Sequence, residues 1–387
     1  MKKKNIFAIG LLVVFAICIL SISCTKDSKS SKRVVLKYAV RGSASDYNTV
    51  KELVKEFERL HPDIGLRLIP ITDWARYLVK VQTMVLSGDC PDIIDIATME
   101  YYVLADKDTL LDLTGFIKND AEFQDRMKND FHPNLMEVIL FKGKYAAIPG
   151  WCNPIIMYYN KDIFDKEKLK YPDSTWDWNT FVNNCKKLTK DFNNDGRIDQ
   201  YGTIIFGGGG AHLILKMNGI EFISSDGKKC NLDKPLAIDA VRGWYDLINK
   251  YHVAPSLGQV TEMQPVPLFM TGKIAMLWSN IYAASELKAV KTFKWDIAVL
   301  PKAKQRATVN GFILWAIPTQ TKHPAEAWEF IKFLNGPIGQ TIRFKYNGDL
   351  SVLKSVVKKE VIDTNIISKN GDVITESLKY SYVPYAG

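Results

Sequence analysis

An Asp- and Asn-rich segment, residues 191–199, has the composition and spacing of a calcium-binding loop. The candidate ligands fit positions 1, 3, 5 and 9 of an EF-hand-like pattern, with a backbone carbonyl at position 7: Asp191, Asn193, Asp195, Asp199 and Arg197. Gly196 stands at the sharp turn, but position 12 is Gly202, where the pattern has a bidentate Glu. A turn that is stabilised by its own side-chain hydrogen bonds is the alternative. The sequence predicts a structural calcium ion here and requires no other cofactor.

Other chemical patterns are weaker. Four consecutive glycines, residues 207–210, follow a predicted strand, but no Gly-Lys-Ser/Thr follows them, which excludes a P-loop. The five histidines show neither metal-binding nor catalytic spacing, so no residue is assigned a catalytic role. Paired carboxylates are common enough that a glycosidase dyad stays open. Cys90, Cys152, Cys185 and Cys230 are widely spaced, and both disulfides and buried thiols remain open for them.

The amino terminus has the layout of an export signal. Residues 2–4 are lysines, and the apolar stretch 6–20 is too short, at 15 residues, to span a bilayer comfortably. A small residue, Ser23, then precedes Cys24, as in the lipobox of bacterial lipoproteins. We predict a lipoprotein signal peptide over residues 1–23, lipidation of Cys24 and a polar tether over residues 24–33. Simple secretion with Cys24 as a spare thiol is the alternative.

Composition limits the class of protein. The chain has 387 residues, of which 47% are hydrophobic and 24% charged, as expected for a globular protein of about two domains. The formal net charge of +9 is spread along the chain without a dense basic tract. The composition excludes a disordered or fibrous protein, and nucleic acid is not an expected partner.

The hydrophobic pattern alternates strands with amphipathic helices. Residues 34–40, 65–71 and 93–97 read as strands, and helices are predicted between them. A β-α-β-α-β order predicts a mostly parallel sheet that is covered by helices on both faces. Later strands are predicted at 155–159, 274–278, 295–300 and 312–317.

A set of phrases in fixed order covers nearly all the chain after the tether: FERLHPDI (57–64), SGDCPDII (87–94), LLDLTGFI (110–117), GKYAAIP (143–149), YYNKDIF (158–164), the stretch 175–202, FMTGKIAML (269–277), WDIAVLP (295–301) and HPAEAWEFIKFL (323–334). The ordered set resembles extracellular solute-binding protein family 1, the sugar-binding lipoproteins of ABC importers related to maltose-binding protein. The resemblance implies an α/β, two-lobed periplasmic-binding-protein-like fold with crossover hinge strands. We assign residues 34–138 and 266–309 to the N-terminal lobe, and 139–265 and 310–387 to the C-terminal lobe. Relatives continue past a stretch like Tyr382–Tyr385, which favours a truncated sequence.

The resemblance also implies the ligand site. Proteins stack aromatic rings on the apolar faces of sugars and direct polar groups at the hydroxyls. The expected ligand-binding residues are Arg41, Ser43, Asp46, Asp73, Trp74, Tyr77, Thr98, Glu100, Trp151, Asn153, Trp278, Asn280, Tyr282 and Trp315. Thr98 and Glu100 also follow a predicted strand, at the edge where open α/β sheets bind ligands. For each aromatic residue, burial in a lobe core is the alternative, and we assign Trp176, Trp244, Trp295 and Trp328 to the core.

Together these features predict a lipid-anchored, extracytoplasmic solute-binding component of an ABC transporter, at the periplasmic or cell-surface side of the membrane. It is expected to be a monomer, to capture a sugar (an oligosaccharide) between its lobes and to deliver it to permease subunits. It is not expected to be an enzyme. The alternatives are a secreted carbohydrate-active hydrolase, a binding protein for a polyol or glycerol phosphate, and a binding protein that serves a membrane sensor kinase.

Overall fold

The computed structural model describes residues 33–132, 134–205, 209–224, 228–364 and 367–383. The predicted signal peptide, Cys24 and all but the last residue of the tether lie outside the described residues. In the part of the chain that is described, no helix combines the length and apolar character needed to cross a membrane.

The strands, in chain order, are β1 (Val34–Arg41), β2 (Ile64–Ile71), β3 (Ile93–Ala97), β4 (Leu140–Phe141), β5 (Lys144–Tyr145), β6 (Ile148–Asn160), β7 (Tyr201–Ile204), β8 (Ile274–Asn280), β9 (Trp295–Ala298), β10 (Thr308–Ala316) and β11 (Ser381–Tyr382). The helices are α1 (Ala44–Leu60), α2 (Tyr77–Leu86), α3 (Thr98–Asp106), α4 (Thr114–Lys118), α5 (Ala121–Asn129), α6 (Asn134–Ile139), α7 (Lys161–Lys166), α8 (Trp178–Leu188), α9 (Gly209–Met217), α10 (Pro235–Asn249), α11 (Leu257–Met263), α12 (Pro265–Met270), α13 (Ala283–Leu287), α14 (Pro324–Leu334), α15 (Pro337–Asn347), α16 (Lys354–Val356) with a π-helical continuation (Val357–Ile362), and α17 (Asp372–Lys379).

One large mixed sheet runs through both lobes in the order β2-β1-β3-β10-β6-β8-β7, and β9 and β11 pair with β6 and β10 at its sides. β1 is parallel to β2 and β3, as predicted for the first lobe. β6 and β10 are antiparallel to their neighbours in this order. The α/β two-lobed fold is confirmed, but the expectation of a mostly parallel sheet holds only for the first lobe.

β6 and β10 are the crossover strands. The first half of β6 pairs with β10, and its second half, from Ile155, pairs with β8 and β9. β10 in turn pairs with β3 of the first lobe. A single 13-residue strand therefore serves both lobes, which is the arrangement that hinged two-lobed proteins use.

Two segments lie in the opposite lobe from the one we assigned. β8 and β9, within residues 266–309, pair with β6 in the second lobe, and β8 also pairs with β7. α14 and α15, within 310–387, pack on the first lobe, where the ring of Phe330 lies 4.9 Å from that of Phe57 in α1. That part of the lobe assignment is wrong, because the chain returns to the first lobe through β10 rather than near residue 266.

Candidate functional site

A cluster of predicted residues forms at the carboxyl ends of β1, β2 and β3, where the parallel strands end at one edge of the sheet. We call Arg41, Trp74, Tyr77 and Glu100 the strand-end cluster. Nη1 and Nη2 of Arg41 lie 2.6 and 3.0 Å from the two carboxylate oxygens of Glu100, a bidentate ion pair. Glu100 also accepts a 2.9 Å hydrogen bond from the amide of Ala97, at the start of α3. These contacts fix the Arg41 guanidinium at the edge of the first lobe where β1, β2 and β3 end.

The two aromatic members of the strand-end cluster have different roles. The Arg41 guanidinium lies 4.6 Å from the Trp74 ring centroid and donates a 2.9 Å hydrogen bond to the Trp74 carbonyl. Trp74 remains 48% exposed. Tyr77 is fully buried, and its hydroxyl donates to the Ala39 carbonyl and accepts from the Asp95 amide. Tyr77 therefore supports Arg41 from the core (4.9 Å to the ring centroid), and its prediction as a ligand-stacking residue is wrong.

Asp95 is a buried carboxylate beneath this cluster that the sequence analysis did not single out. It accepts a 2.8 Å hydrogen bond from the Arg41 amide and a 2.7 Å hydrogen bond from the Tyr38 hydroxyl. Burial raises the pKa of Asp95 to about 6, although both hydrogen bonds oppose that rise. A carboxylate inside a hydrophobic strand has no local signal of function, because only the neighbouring strand supplies its partners.

The turn between β1 and α1 positions Asp46. Ser43 is the N-cap of α1, and its amide and hydroxyl donate 2.8 and 2.7 Å hydrogen bonds to one oxygen of Asp46 in a capping box. Gly42 has φ +135°, and a Cβ there would lie 2.5 Å from that carboxylate oxygen. Glycine is therefore required at this position, and the structure assigns Ser43 to helix capping.

Asp46 belongs to a second polar cluster, the acidic bridge, which comprises Asp46, Asn347, Asp349 and Arg343. The Asn347 amide nitrogen lies 2.9 Å from both Asp46 and Asp349 carboxylate oxygens. Nε of Arg343 forms a 2.9 Å ion pair with Asp349. Burial raises the pKa of Asp349, and the nearby Arg343 charge opposes this rise. The acidic bridge thus joins the start of α1 to the segment after α15.

Sequence reasoning missed three of these four residues. Asn347 and Asp46 are 301 positions apart, so no local spacing connects them. The Asn347-Gly348-Asp349 turn, where Gly348 has φ +78°, was an available signal of a polar loop. Because residues 310–387 were assigned to the other lobe, this turn was not expected to lie near Asp46.

Tyr282 approaches the acidic bridge from the second lobe. It stands just before α13 and is 41% exposed. It lines one cavity together with Asn347 of the acidic bridge. Burial raises the pKa of its hydroxyl, and the negative charges of Asp46, Glu286 and Asp349 raise it further. Tyr282 and Trp74 are therefore the predicted aromatic residues that the structure leaves open to a ligand.

Three predicted stacking residues are packed in the interior. Trp315 is fully buried, and its indole donates a 3.1 Å hydrogen bond to the Tyr38 hydroxyl. Trp278 lies in the core of the second lobe, 5.1 Å from the Trp244 ring. Trp151 is buried under Arg343, whose guanidinium lies 3.4 Å from its ring centroid. The prediction that these three rings stack on a ligand is wrong for this structure, because protein groups already cover them.

The remaining predicted residues have contacts elsewhere in the described part of the fold. Asp73 accepts 3.1 Å hydrogen bonds from the amides of Ala75 and Arg76 and so shapes the turn that presents Trp74. Thr98 is buried at the start of α3. The backbone amide of Asn153 donates a 2.8 Å hydrogen bond to Asn310. The backbone carbonyl of Asn280 accepts a 3.0 Å hydrogen bond from the Tyr158 hydroxyl.

The predicted calcium loop is closed by its own hydrogen bonds. Asp191, Asp195 and Asp199 each accept a 2.8 Å hydrogen bond from a backbone amide within the segment. Position 12 cannot carry a Glu side chain, since a Cβ on Gly202 would lie 2.2 Å from the Cys185 carbonyl oxygen. Across the described residues, no group of three or more His, Cys, Asp or Glu side chains is arranged to hold a metal ion. Calcium binding by Asp191, Asn193, Asp195, Asp199 and the Arg197 carbonyl stays a prediction.

The comparison with known proteins agrees with the observed architecture. The profile of the bacterial extracellular solute-binding proteins matches residues 42–341. A binding protein of Brucella abortus (strain 2308) is 23% identical over 331 residues, which cover 84% of this chain and 76% of that protein. A multiple sugar-binding protein of Streptococcus mutans is 28% identical over 177 residues, or 45% of this chain and 39% of that protein. Among solved structures, an ABC substrate-binding protein from Listeria monocytogenes in complex with cycloalternan superposes with a TM-score of 0.77 and 25% identity, covering 91% of this chain and 88% of that one.

Proposed function

The chain belongs to the bacterial extracellular solute-binding proteins, and we propose that it captures an uncharged oligosaccharide between its lobes for import by an ABC transporter. In this proposal the protein is a monomer that Cys24 anchors to the membrane through lipid. Permease subunits are its partners, and it catalyses no reaction.

The exposed ring of Trp74 is the observation that carries the proposal. Its carbonyl and ring are both held by Arg41, which is in turn fixed by Glu100. An aromatic platform that is already immobilised loses little conformational entropy when a sugar ring stacks on it. The neighbouring carboxylates of Glu100 and Asp46 can accept hydrogen bonds from sugar hydroxyl groups.

The charges of the site favour a neutral ligand. The two guanidinium groups of Arg41 and Arg343 are each paired with a carboxylate, Glu100 and Asp349 respectively. Asp46 adds a third carboxylate, so these five side chains carry two positive and three negative charges, or 2 − 3 = −1. A glycerol phosphate would meet this negative field without an unpaired cation from the set, which disfavours it. A sugar meets no such penalty.

The named relatives support the same ligand class. The Streptococcus mutans relative is a multiple sugar-binding protein, and the Listeria monocytogenes structure is a complex with cycloalternan. These relatives are binding proteins, which favours binding over the hydrolase alternative. Neither a glycosidase nor a sensor-kinase role has a specific observation in its favour.

Calorimetry with a panel of ligands tests the proposal. The panel contains neutral mono- and oligosaccharides of glucose, mannose, galactose and xylose, together with mannitol and glycerol 3-phosphate. We expect a neutral sugar to bind and Trp74→Ala to weaken it by about 2 kcal/mol, or ~30-fold. Phe192→Ala, which removes a 55% exposed ring from a loop outside both clusters, is the matched control and should leave binding unchanged. Binding of glycerol 3-phosphate in preference to every sugar would overturn the ligand class.

A further inference from the structure

A cavity of about 410 Å³ lies beside the acidic bridge. Its walls come from both lobes. The start of α1 contributes Ser45, and the end of α15 contributes Tyr346 and Asn347, while Tyr282 and Ser285 belong to the segment that follows β8. A cavity of this size falls within the usual range for small-molecule pockets.

The cavity begins where the acidic bridge ends. The Ser45 hydroxyl donates a 3.0 Å hydrogen bond to the side-chain oxygen Oδ1 of Asn347, and the side-chain nitrogen Nδ2 of Asn347 donates to Asp46. Asn347 is therefore shared between the acidic bridge and the cavity wall. Ser45 directly precedes Asp46 and also lines the cavity, so the cavity lies beside Asp46 in the chain as well as through Asn347.

The cavity presents two tyrosine rings. Tyr282 is 41% and Tyr346 is 56% exposed. Neither hydroxyl group makes a hydrogen bond within the described ranges, whereas the hydroxyls of Tyr38, Tyr77 and Tyr158 are all hydrogen-bonded to protein groups. The hydroxyl of Ser285 and the ammonium group of Lys288 add polar groups to the same walls. Ring faces interspersed with hydroxyl and amide groups suit a saccharide unit better than an apolar or a purely ionic ligand.

We propose that this cavity binds the second and later units of a linear oligosaccharide, and that Tyr346 determines the preference for chain length. The inference rests on the proposed function, since the first unit is the one that stacks on Trp74. In this inference both exposed tyrosines that line the cavity contact the later units, and Tyr346 makes no contact with the unit on Trp74.

The test compares ligands of different length on the same variants. Calorimetry is run with glucose, maltose and maltotriose and with mannose, mannobiose and mannotriose. In the series that binds, we expect the trisaccharide to bind at least about tenfold more tightly than the monosaccharide. Tyr346→Ala should remove about tenfold of the trisaccharide affinity and leave the shortest bound sugar within about twofold. Tyr346→Phe, which keeps the ring, should retain most of the affinity, and Phe192→Ala should change nothing.

A second variant does not depend on removal of a ring. Ser285→Trp places a bulky side chain in the cavity from an exposed position and should weaken only the longer sugars. If affinity does not grow with length, or if both cavity variants affect short and long sugars equally, the inference is wrong while the proposed function stands. If no sugar binds to the unmodified protein, the proposed function fails and the inference fails with it.

Discussion

The Arg41–Glu100 ion pair is predicted to stabilise the first lobe measurably. The side chain of Arg41 is only 6% exposed and that of Glu100 is 21% exposed. Glu100→Gln preserves the shape of the side chain but leaves the buried guanidinium without its carboxylate. Loss of one partner from a fully buried pair costs about 3–5 kcal/mol. Because Glu100 is partly hydrated, we expect a smaller loss of about 2–3 kcal/mol.

The assay is thermal unfolding followed by circular dichroism. At about 2 °C per kcal/mol for a large chain, Glu100→Gln should lower the melting temperature by roughly 4–6 °C. Asp239→Asn is the matched control, since it makes the same change of charge in a pair with Arg242 whose side chains are 66% and 63% exposed. Exposed pairs contribute about 0–1 kcal/mol, so the control should shift the melting temperature by about 2 °C at most.

A double variant separates the pair from its surroundings. In the cycle of Glu100→Gln, Arg41→Gln and the combined change, the combined loss should be clearly smaller than the sum of the single losses. If Glu100→Gln and Asp239→Asn lower the melting temperature equally, or if the two single losses simply add, the ion pair does not hold the strand-end cluster together and our account of Trp74 as a fixed platform is refuted.

Three further predictions concern other parts of the chain. Burial raises the pKa of Asp95 to about 6, above its unfolded value near 3.9, so its contribution to stability is greatest below about pH 4 and is lost as the pH rises through 6. The melting temperature of Asp95→Asn should therefore increase relative to that of the unmodified protein between pH 4.5 and 7.5. A difference in melting temperature that stays constant over this range would contradict the prediction. If the loop of residues 191–199 binds calcium, excess calcium should raise the melting temperature of metal-stripped protein, and Asp195→Ala should abolish the shift; equal melts in chelator and calcium would exclude the site. If Cys24 is lipidated, a fatty-acid probe should label the unmodified protein and a Cys230→Ala control but not Cys24→Ala, and equal labelling of all three would end the anchoring hypothesis.

Sequence reasoning succeeded where the periodicity of one element determines the outcome. A helix was predicted between the first two strands, and α1 lies there with Val50, Leu53 and Phe57 buried on one face. Arg41 and Glu100 meet because both follow parallel strands, and parallel strands end at the same edge of a sheet. In such cases the spacing of apolar residues is enough to place the polar ones.

The same reasoning failed where the direction of a side chain depends on distant elements. Trp278 and Trp315 lie on strands whose two faces are both covered, so alternation along the strand does not separate core from ligand-facing positions. A resemblance fixes the position of a residue along the chain but not whether another ring or an Arg already lies on its face. Trp151 illustrates this, since the Arg343 guanidinium that covers it comes from a helix 192 positions later.

The acidic bridge contacts β6, one of the two crossover strands. Arg343 stacks on Trp151, and the next residue along β6, Cys152, donates its amide to the carbonyl of Leu350, directly after Asp349. A ligand hydroxyl that bonds to Asp46 would therefore contact a carboxylate connected through Asn347 to groups packed on β6. Because β6 also pairs with β8 and β9 in the second lobe, the residues proposed to hold the ligand and the residues that join the two lobes form one continuous set of contacts. A ligand shifts the relative position of the lobes only when it binds the two arrangements with different affinity. Contacts that the ligand site shares with the crossover strand are a place where such a difference in affinity can arise.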